Sequence, residues 1–207
     1  MSKCIVCIVL LNALFLTASW AQYGTRTRMA ILPQSKLVLN GNSTMHEYSS
    51  TASELTGKIL VDSILLVEGT KSLKKPFYSV EIIIPVKKMR SGDEKLDNNL
   101  YEALKAEDHP DLIYRMTDDS VIAGGRDSLT LQTTGTLVVS GKEKVIEMTV
   151  TIYKIHDSTL SISGKKELFM TDFDVDPPSM MLGLLKTDNK VVIAFDVLIR
   201  RQLNVQR

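Results

Sequence analysis

The chain has 207 residues, 44% of them hydrophobic and 24% charged, a composition that suits one domain with a core or an enclosed cavity and excludes disordered or collagen-like classes. Its 25 basic and 24 acidic residues nearly cancel and no block of like charge occurs, so the electrostatic footprint of a nucleic-acid partner is missing. The only cysteines are Cys4 and Cys7, which leaves everything after them without a disulfide framework or a thiolate metal site.

The first element reads as an address. Lys3 supplies a positive start, residues 4–18 form a short apolar run, and Ser19-Trp20-Ala21 places small residues three and one before a cut ahead of Gln22. The run is shorter than the roughly 20 residues needed to span a bilayer. A signal peptide at 1–21 is therefore expected, with export as its consequence and one domain at 22–207. Cleavage removes both cysteines, the single tryptophan and Lys3, so no lipid-modified cysteine tethers the mature chain.

Turn-like clusters then divide the chain into eight segments of strand length, at about 36–48, 55–67, 77–87, 112–122, 128–139, 145–155, 160–171 and 190–198. Strands at regular spacing joined by short polar turns predict an all-β fold, an eight-stranded antiparallel up-and-down barrel. One helix interrupts it, between the third and fourth strands. Leu96, Leu100 and Leu104 form an apolar stripe beside Ala103, with Asp97, Asn98, Glu102 and Lys105 expected to face away, so the helix is read as a lid. Ser91 and Glu94 have capping-box spacing, Asp93, Glu94 and Lys105 suit the helix dipole, and Pro110 is expected to end the element.

Charged residues mark the outward positions of the strands. Glu81 outward turns Val80, Ile82 and Ile84 inward; Arg115 outward turns Leu112, Tyr114 and Met116 inward. Glu147, Thr149 and Thr151 outward leave Ile146, Met148, Val150 and Ile152 inside, and Asp196 outward leaves Val191, Ile193, Phe195 and Val197 inside, with Leu137 and Val139 added from 128–139. An eight-stranded barrel is either filled by such side chains or holds one small ligand, and the pattern alone leaves both open.

Four stretches carry a resemblance to a known family. They are Gly41-Asn42-Ser43-Thr44-Met45-His46-Glu47-Tyr48; Lys88-Met89-Arg90-Ser91-Gly92 through Ala106 with His109-Pro110-Asp111-Leu112-Ile113-Tyr114; Gly135-Thr136-Leu137-Val138-Val139-Ser140-Gly141-Lys142-Glu143-Lys144; and Met170-Thr171-Asp172-Phe173 with Pro177-Pro178, Leu182-Gly183 and Val191-Val192-Ile193-Ala194-Phe195. In order and spacing, from about residue 35 to 199, the chain resembles the YceI-like family of bacterial exported proteins, whose lipocalin-like barrel encloses a polyisoprenoid. It departs from that pattern at Val138, often threonine, at Val145, often proline, and at Asp174, often glycine.

The resemblance implies an exported protein, periplasmic or extracellular, that carries an isoprenoid-type lipid or isoprenoid quinone as ligand, with no cofactor and with transient membrane contact. The thirteen lining positions expected to touch the chain are Val80, Ile82, Ile84, Leu112, Tyr114, Met116, Leu137, Val139, Ile146, Met148, Val150, Ile193 and Phe195. A polar end group would sit at a mouth with His46, Arg90 and Asp172 as candidates, under the lid of Leu96, Leu100 and Leu104. Methionine and aliphatic walls adapt to a flexible chain of that kind.

Other constellations point elsewhere only weakly. Asp172, Asp174 and Asp176 open like a calcium loop, but Pro177 stands where glycine is needed and Gly183 where a bidentate acid is needed. His46, His109 and His156 lack metal-ligand spacing, so no metal site is expected. No nucleophile elbow, zinc-protease helix or phosphate loop is legible, and an enzyme is not expected. Two other readings remain: a filled-core interaction barrel using an apolar Met180-Met181-Leu182 patch, and a secreted hydrolase with scattered carboxylates. The second needs two inward acids, whereas parity turns Glu81, Glu147 and Asp196 outward.

Overall fold

Along Ser128–Val139 every second residue from Leu129 to Leu137 is buried, the signature of a wall with one face on a packed interior. The computed structural model describes residues 25–44, 46–66, 73–125, 127–156, 158–180 and 185–202. The expected leader and Met181, Leu182 and Gly183 lie outside the described residues.

In chain order the strands are β1 (Arg26–Ile31), β2 (Lys36–Ser43), β3 (Glu47–Ala52), β4 (Thr56–Asp62), β5 (Phe77–Pro85), β6 (Met89–Arg90), β7 (Asp111–Gly124), β8 (Ser128–Val139), β9 (Lys142–His156), β10 (Thr159–Phe169), β11 (Ser179–Met180) and β12 (Leu185–Arg201), with helix α1 (Glu94–Ala103) between β6 and β7. All pairings are antiparallel, and the ring β1-β4-β5-β7-β8-β9-β10-β12 closes where Ile31 of β1 meets Ile199 of β12. β2 continues β1 along β12, with Lys36 opposite Asp196, β3 continues β4 as the partner of β2, and β6 continues β5 as the partner of β3. Three walls are thus broken strands, and the ring is an eight-stranded up-and-down barrel with its helix between the third and fourth walls.

Two expectations about the first wall are corrected. It begins at Arg26, and the segment read as 36–48 is two strands, because Ser43 closes a turn through its amide and hydroxyl, both donating to the His46 carbonyl at 3.1 and 2.8 Å. The parity rule holds elsewhere. Glu81 and Arg115 are cross-strand neighbours that pair outside the barrel at 3.0 Å, and Asp196 accepts from the Ser161 hydroxyl at 2.5 Å.

One end of the barrel is solid. Met29, Ile59, Val61, Leu131, Leu160 and Ile199, each at most 2% exposed, fill it, and each such side chain contributes about 1.5–3 kcal/mol of burial. The other end is roofed by α1, and Leu104, the residue that caps its end, joins Leu37, Ile84, Leu112 and Phe173 in a second cluster.

The roof is fastened differently from its predicted form. Asp93, not Ser91, caps the helix, accepting from the Lys95 and Leu96 amides. Ser91 instead donates its amide and hydroxyl to Asp97 Oδ1, both at 2.7 Å, and the Arg90 guanidinium stands 3.6 Å from Oδ2. Asp97 is consequently buried, at 5% exposure, where an outward position was expected; its two Ser91 bonds and the nearby cation make that burial tolerable. The helix stops at Ala103, well before Pro110. Lys105 takes the left-handed conformation (φ 52°), and the amides of Lys105 and Ala106 bond back to the Glu102 and Tyr101 carbonyls, a Schellman ending with lysine where glycine is usual.

Two outcomes follow from these contacts. Lys105→Gly should raise stability by about 1 kcal/mol by relieving the left-handed side chain, a Tm increase of about 2–4 °C for a chain of this size; an unchanged or lower Tm in thermal unfolding contradicts the cap. For Asp97, burial acts to raise the pKa, but the Ser91 bonds and Arg90 outweigh it and hold the carboxyl below its usual range. A depressed folded pKa gives stability that is complete above the ordinary carboxylate range and is lost as pH falls through the folded value. Denaturant unfolding should therefore show a gap between wild type and Asp97→Asn at neutral pH that closes in acid; a gap independent of pH contradicts this role.

Candidate functional site

Between the solid end and the helical roof the barrel is hollow. An upper chamber of about 220 Å³ lies under α1 and a lower one of about 140 Å³ lies beneath it. Leu39, Leu112, Val139, Leu168 and Ile193 belong to both linings and form a waist between them. A single water needs only about 10–15 Å³, so both are large voids. The lining descends along β12 through Val191, Ile193, Phe195 and Val197, about 20 Å of strand at about 3.3 Å per residue. Ile59, Phe77, Val150 and Val197, which belong to the solid cluster, make the floor.

The thirteen residues expected in the lining all stand around the lower chamber, with Leu112, Val139 and Ile193 at the waist. Leu96, Leu100 and Leu104 line the upper one from the roof. Of the three polar candidates, His46 lies in the upper lining. Arg90 does not; it is exposed and bonds the Tyr101 hydroxyl beside Asp97. Asp172 is also outside both linings, exposed and 3.7 Å from Lys144. The structure therefore does not bring the three together. Among the described residues no cluster of three metal-ligating side chains exists; Asp174 pairs with Lys142 at 2.8 Å.

Three inward glycines shape the walls. A Cβ on Gly164 would fall 2.5 Å from the Phe195 ring, one on Gly135 would fall 2.5 Å from the Tyr114 ring, and one on Gly41 would overlap Tyr48. Each ring lies flat across its glycine instead of projecting into the lumen, so these glycines convert aromatic bulk into wall.

Several polar groups in the lining escaped the reading from sequence. Tyr48 and Ser50 share the inward face of β3 and line the upper chamber with Ser43, Ser91, Asp97 and Asn99. The Ser50 hydroxyl is buried and has no hydrogen-bond partner. Burial, helped by the charge of Asp188, pushes the Tyr48 phenol up to about 12. In the lower chamber the Tyr114 hydroxyl also lacks a partner; burial raises its pKa, and the neighbouring Thr133 hydroxyl pulls the other way without a proper bond, being spent on the Met148 carbonyl at 3.0 Å. Lys166 enters the lower lining where β9 leaves β10, since their pairing ends at Gly164 and Val150. Treating every charge as outward hid Lys166 and Asp97, and carrying the first segment through its turn hid Tyr48 and Ser50.

The YceI-like domain family matches residues 34–199 of the chain. Among solved structures, BcnA of Burkholderia cenocepacia superposes with TM-score 0.62 at 15% identity, over 79% of this chain and 95% of its own. A polyisoprenoid-binding domain from Saccharophagus degradans implicated in plant cell wall breakdown gives 0.64 at 10% identity, over 86% and 100%. The Campylobacter jejuni YCEI protein gives 0.58 at 17% identity, over 75% and 85%. No curated protein matches. Identities this low speak for the shared barrel alone, but the family match runs from the start of the second strand's turn to the closing strand. On that match, the chain belongs to the YceI-like domain family.

Proposed function

We propose that this protein is an exported, non-catalytic carrier that encloses one long apolar chain, an isoprenoid lipid or isoprenoid quinone. The observation that carries the reading is the two-chamber lumen, walled almost wholly by aliphatic, methionine and aromatic side chains and stopped by a packed floor. A narrow lumen with an adaptable lining suits a flexible hydrocarbon that offers few hydrogen bonds. At about 0.8 kcal/mol per buried CH₂, a chain of about twenty carbons gains on the order of 16 kcal/mol before ordering costs.

Membership of the family supports the same reading, as does the Saccharophagus degradans domain described as polyisoprenoid-binding. The only carboxylate in either lining among the described residues is Asp97, which is tied to Ser91 and Arg90. A paired acid and base for hydrolysis is therefore not assembled there. The leader-like sequence at 1–21 supports export, to the periplasm or the medium. No helix among the described residues is long and apolar enough to cross a membrane.

Denaturing mass spectrometry of an organic extract of natively expressed protein should recover a stoichiometric isoprenoid. Repeated empty extracts, together with no uptake of added isoprenoids, would leave the hollow barrel without its proposed cargo. Gly164→Ala should drive the Phe195 ring into the lower chamber, at an overpacking cost of about 1–3 kcal/mol, and shorten the longest prenyl chain retained. Retention of the same chain lengths by a folded Gly164→Ala protein would show that the ring does not bound the tail.

A further inference from the structure

Two kinds of surface meet in the upper chamber. Its roof and waist are apolar, but the β2–β3 side and the start of α1 present Ser43, His46, Tyr48, Ser50, Ser91, Asp97 and Asn99. No lysine or arginine lines it among the described residues. We propose that this polar arc is the subsite for the end group of the carried chain, that the end group is an uncharged oxygen function, an alcohol or a quinone carbonyl, and that Ser50 anchors it. The proposal deepens the carrier reading and rests on it.

Ser50 is the pivot because its hydroxyl is out of reach of bulk water, 3% exposed as a residue, and has no partner among the described residues. A buried hydroxyl left unpaired is costly, and a ligand oxygen in the chamber would remove that cost. Tyr48, two residues away on the same face of β3, lines the same chamber and adds a phenol held in its protonated, donating form at any physiological pH. Both groups can donate to a carbonyl or exchange bonds with a hydroxyl.

The charges around the arc oppose an anionic end. Asp97 lines the chamber with its carboxylate held by Ser91 and Arg90, while Arg90 itself stays outside the lining. Asp188 lies close enough to Tyr48 to raise its pKa. The amides at the start of α1, an obvious cradle for phosphate, are already occupied by the Asp93 carboxylate, which accepts from Lys95 and Leu96 at 2.8 and 3.0 Å. Among the described residues, a phosphate or diphosphate would meet Asp97 in the lining with Asp188 near Tyr48 and no lysine or arginine in the lining, whereas an alcohol or carbonyl meets two donors.

The test compares four probes sharing one geranylgeranyl chain: the alcohol, a quinone, the diphosphate and the bare hydrocarbon, each titrated into delipidated full-length protein. Wild type should bind the alcohol and the quinone at least about tenfold more tightly than the diphosphate, and the ratio of the first two tells which oxygen function fits better. Ser50→Ala should weaken the alcohol and quinone by about five- to tenfold, the loss of one buried hydrogen bond, and leave the hydrocarbon unchanged. Asp97→Asn should narrow the margin against the diphosphate. If Ser50→Ala does not fold, Ser50→Cys, of similar size and a poorer donor, gives the same comparison. Equal or tighter binding of the diphosphate, or its loss on Lys166→Met, which would place an anion in the lower chamber, overturns the proposal and leaves the carrier reading standing. Failure of every probe, hydrocarbon included, sinks both.

Discussion

Unfilled volume is the constraint on which this structure turns. At about 24 cal/mol per Å³ of cavity, chambers of about 220 and 140 Å³ forfeit roughly 5 and 3 kcal/mol of packing. That sum is comparable with the whole net stability of a typical domain, about 5–15 kcal/mol. A barrel that could fill its interior and does not must recover the loss elsewhere. It does so at its solid end, where the residues around Ile59, Val61 and Ile199 are almost completely dry. A bound hydrocarbon would return the missing dispersion contacts and so add stability.

Two features keep the space open. Closure of β12 onto both β1 and β2 gives every wall a hydrogen-bonded neighbour on each side over most of its length, so the ring resists collapse. The rings of Tyr48, Tyr114 and Phe195 lie against Gly41, Gly135 and Gly164, which puts aromatic area on the wall with little intrusion into the lumen. The exception to continuous pairing lies between β9 and β10. There the 3-10 turn Met170–Phe173 and the ion pairs Lys142–Asp174 and Lys144–Asp172 cover the gap. These exposed pairs are worth little energetically.

Much of this was legible from one sequence because period-two alternation is a strong signal wherever one face is apolar. Val80, Ile82 and Ile84 alternate cleanly around Glu81, and the helical stripe of Leu96, Leu100 and Leu104 lies under the roof as its spacing requires. What was hidden depended on contacts across the fold. Asp97 is indistinguishable from a solvated helix residue until Ser91 and Arg90 are seen around it. Lys105 carries no sign that it will adopt φ 52°. Asp174, where the family pattern often has glycine, takes φ 54°, so that departure marked a real backbone requirement met by a residue tolerant of the left-handed region. β1 is short, though its buried Thr27 and Met29 alternate with exposed Arg26 and Arg28, and the turn at Ser43 is polar in the same way as the strands on either side of it.

If the protein is a carrier, function is a matter of occupancy: a hydrocarbon tail must pass the waist at Leu112 and Ile193 and lie in the lower chamber. The most direct measurement is an isotope-filtered NMR experiment on protein labelled at its methionine methyl groups and loaded with an isoprenoid chain. Close contacts between the chain and the methyls of Met116 and Met148 are predicted, both residues lining the lower chamber. Contacts confined to outward-facing residues, with both methyls unperturbed at saturating ligand, would contradict it.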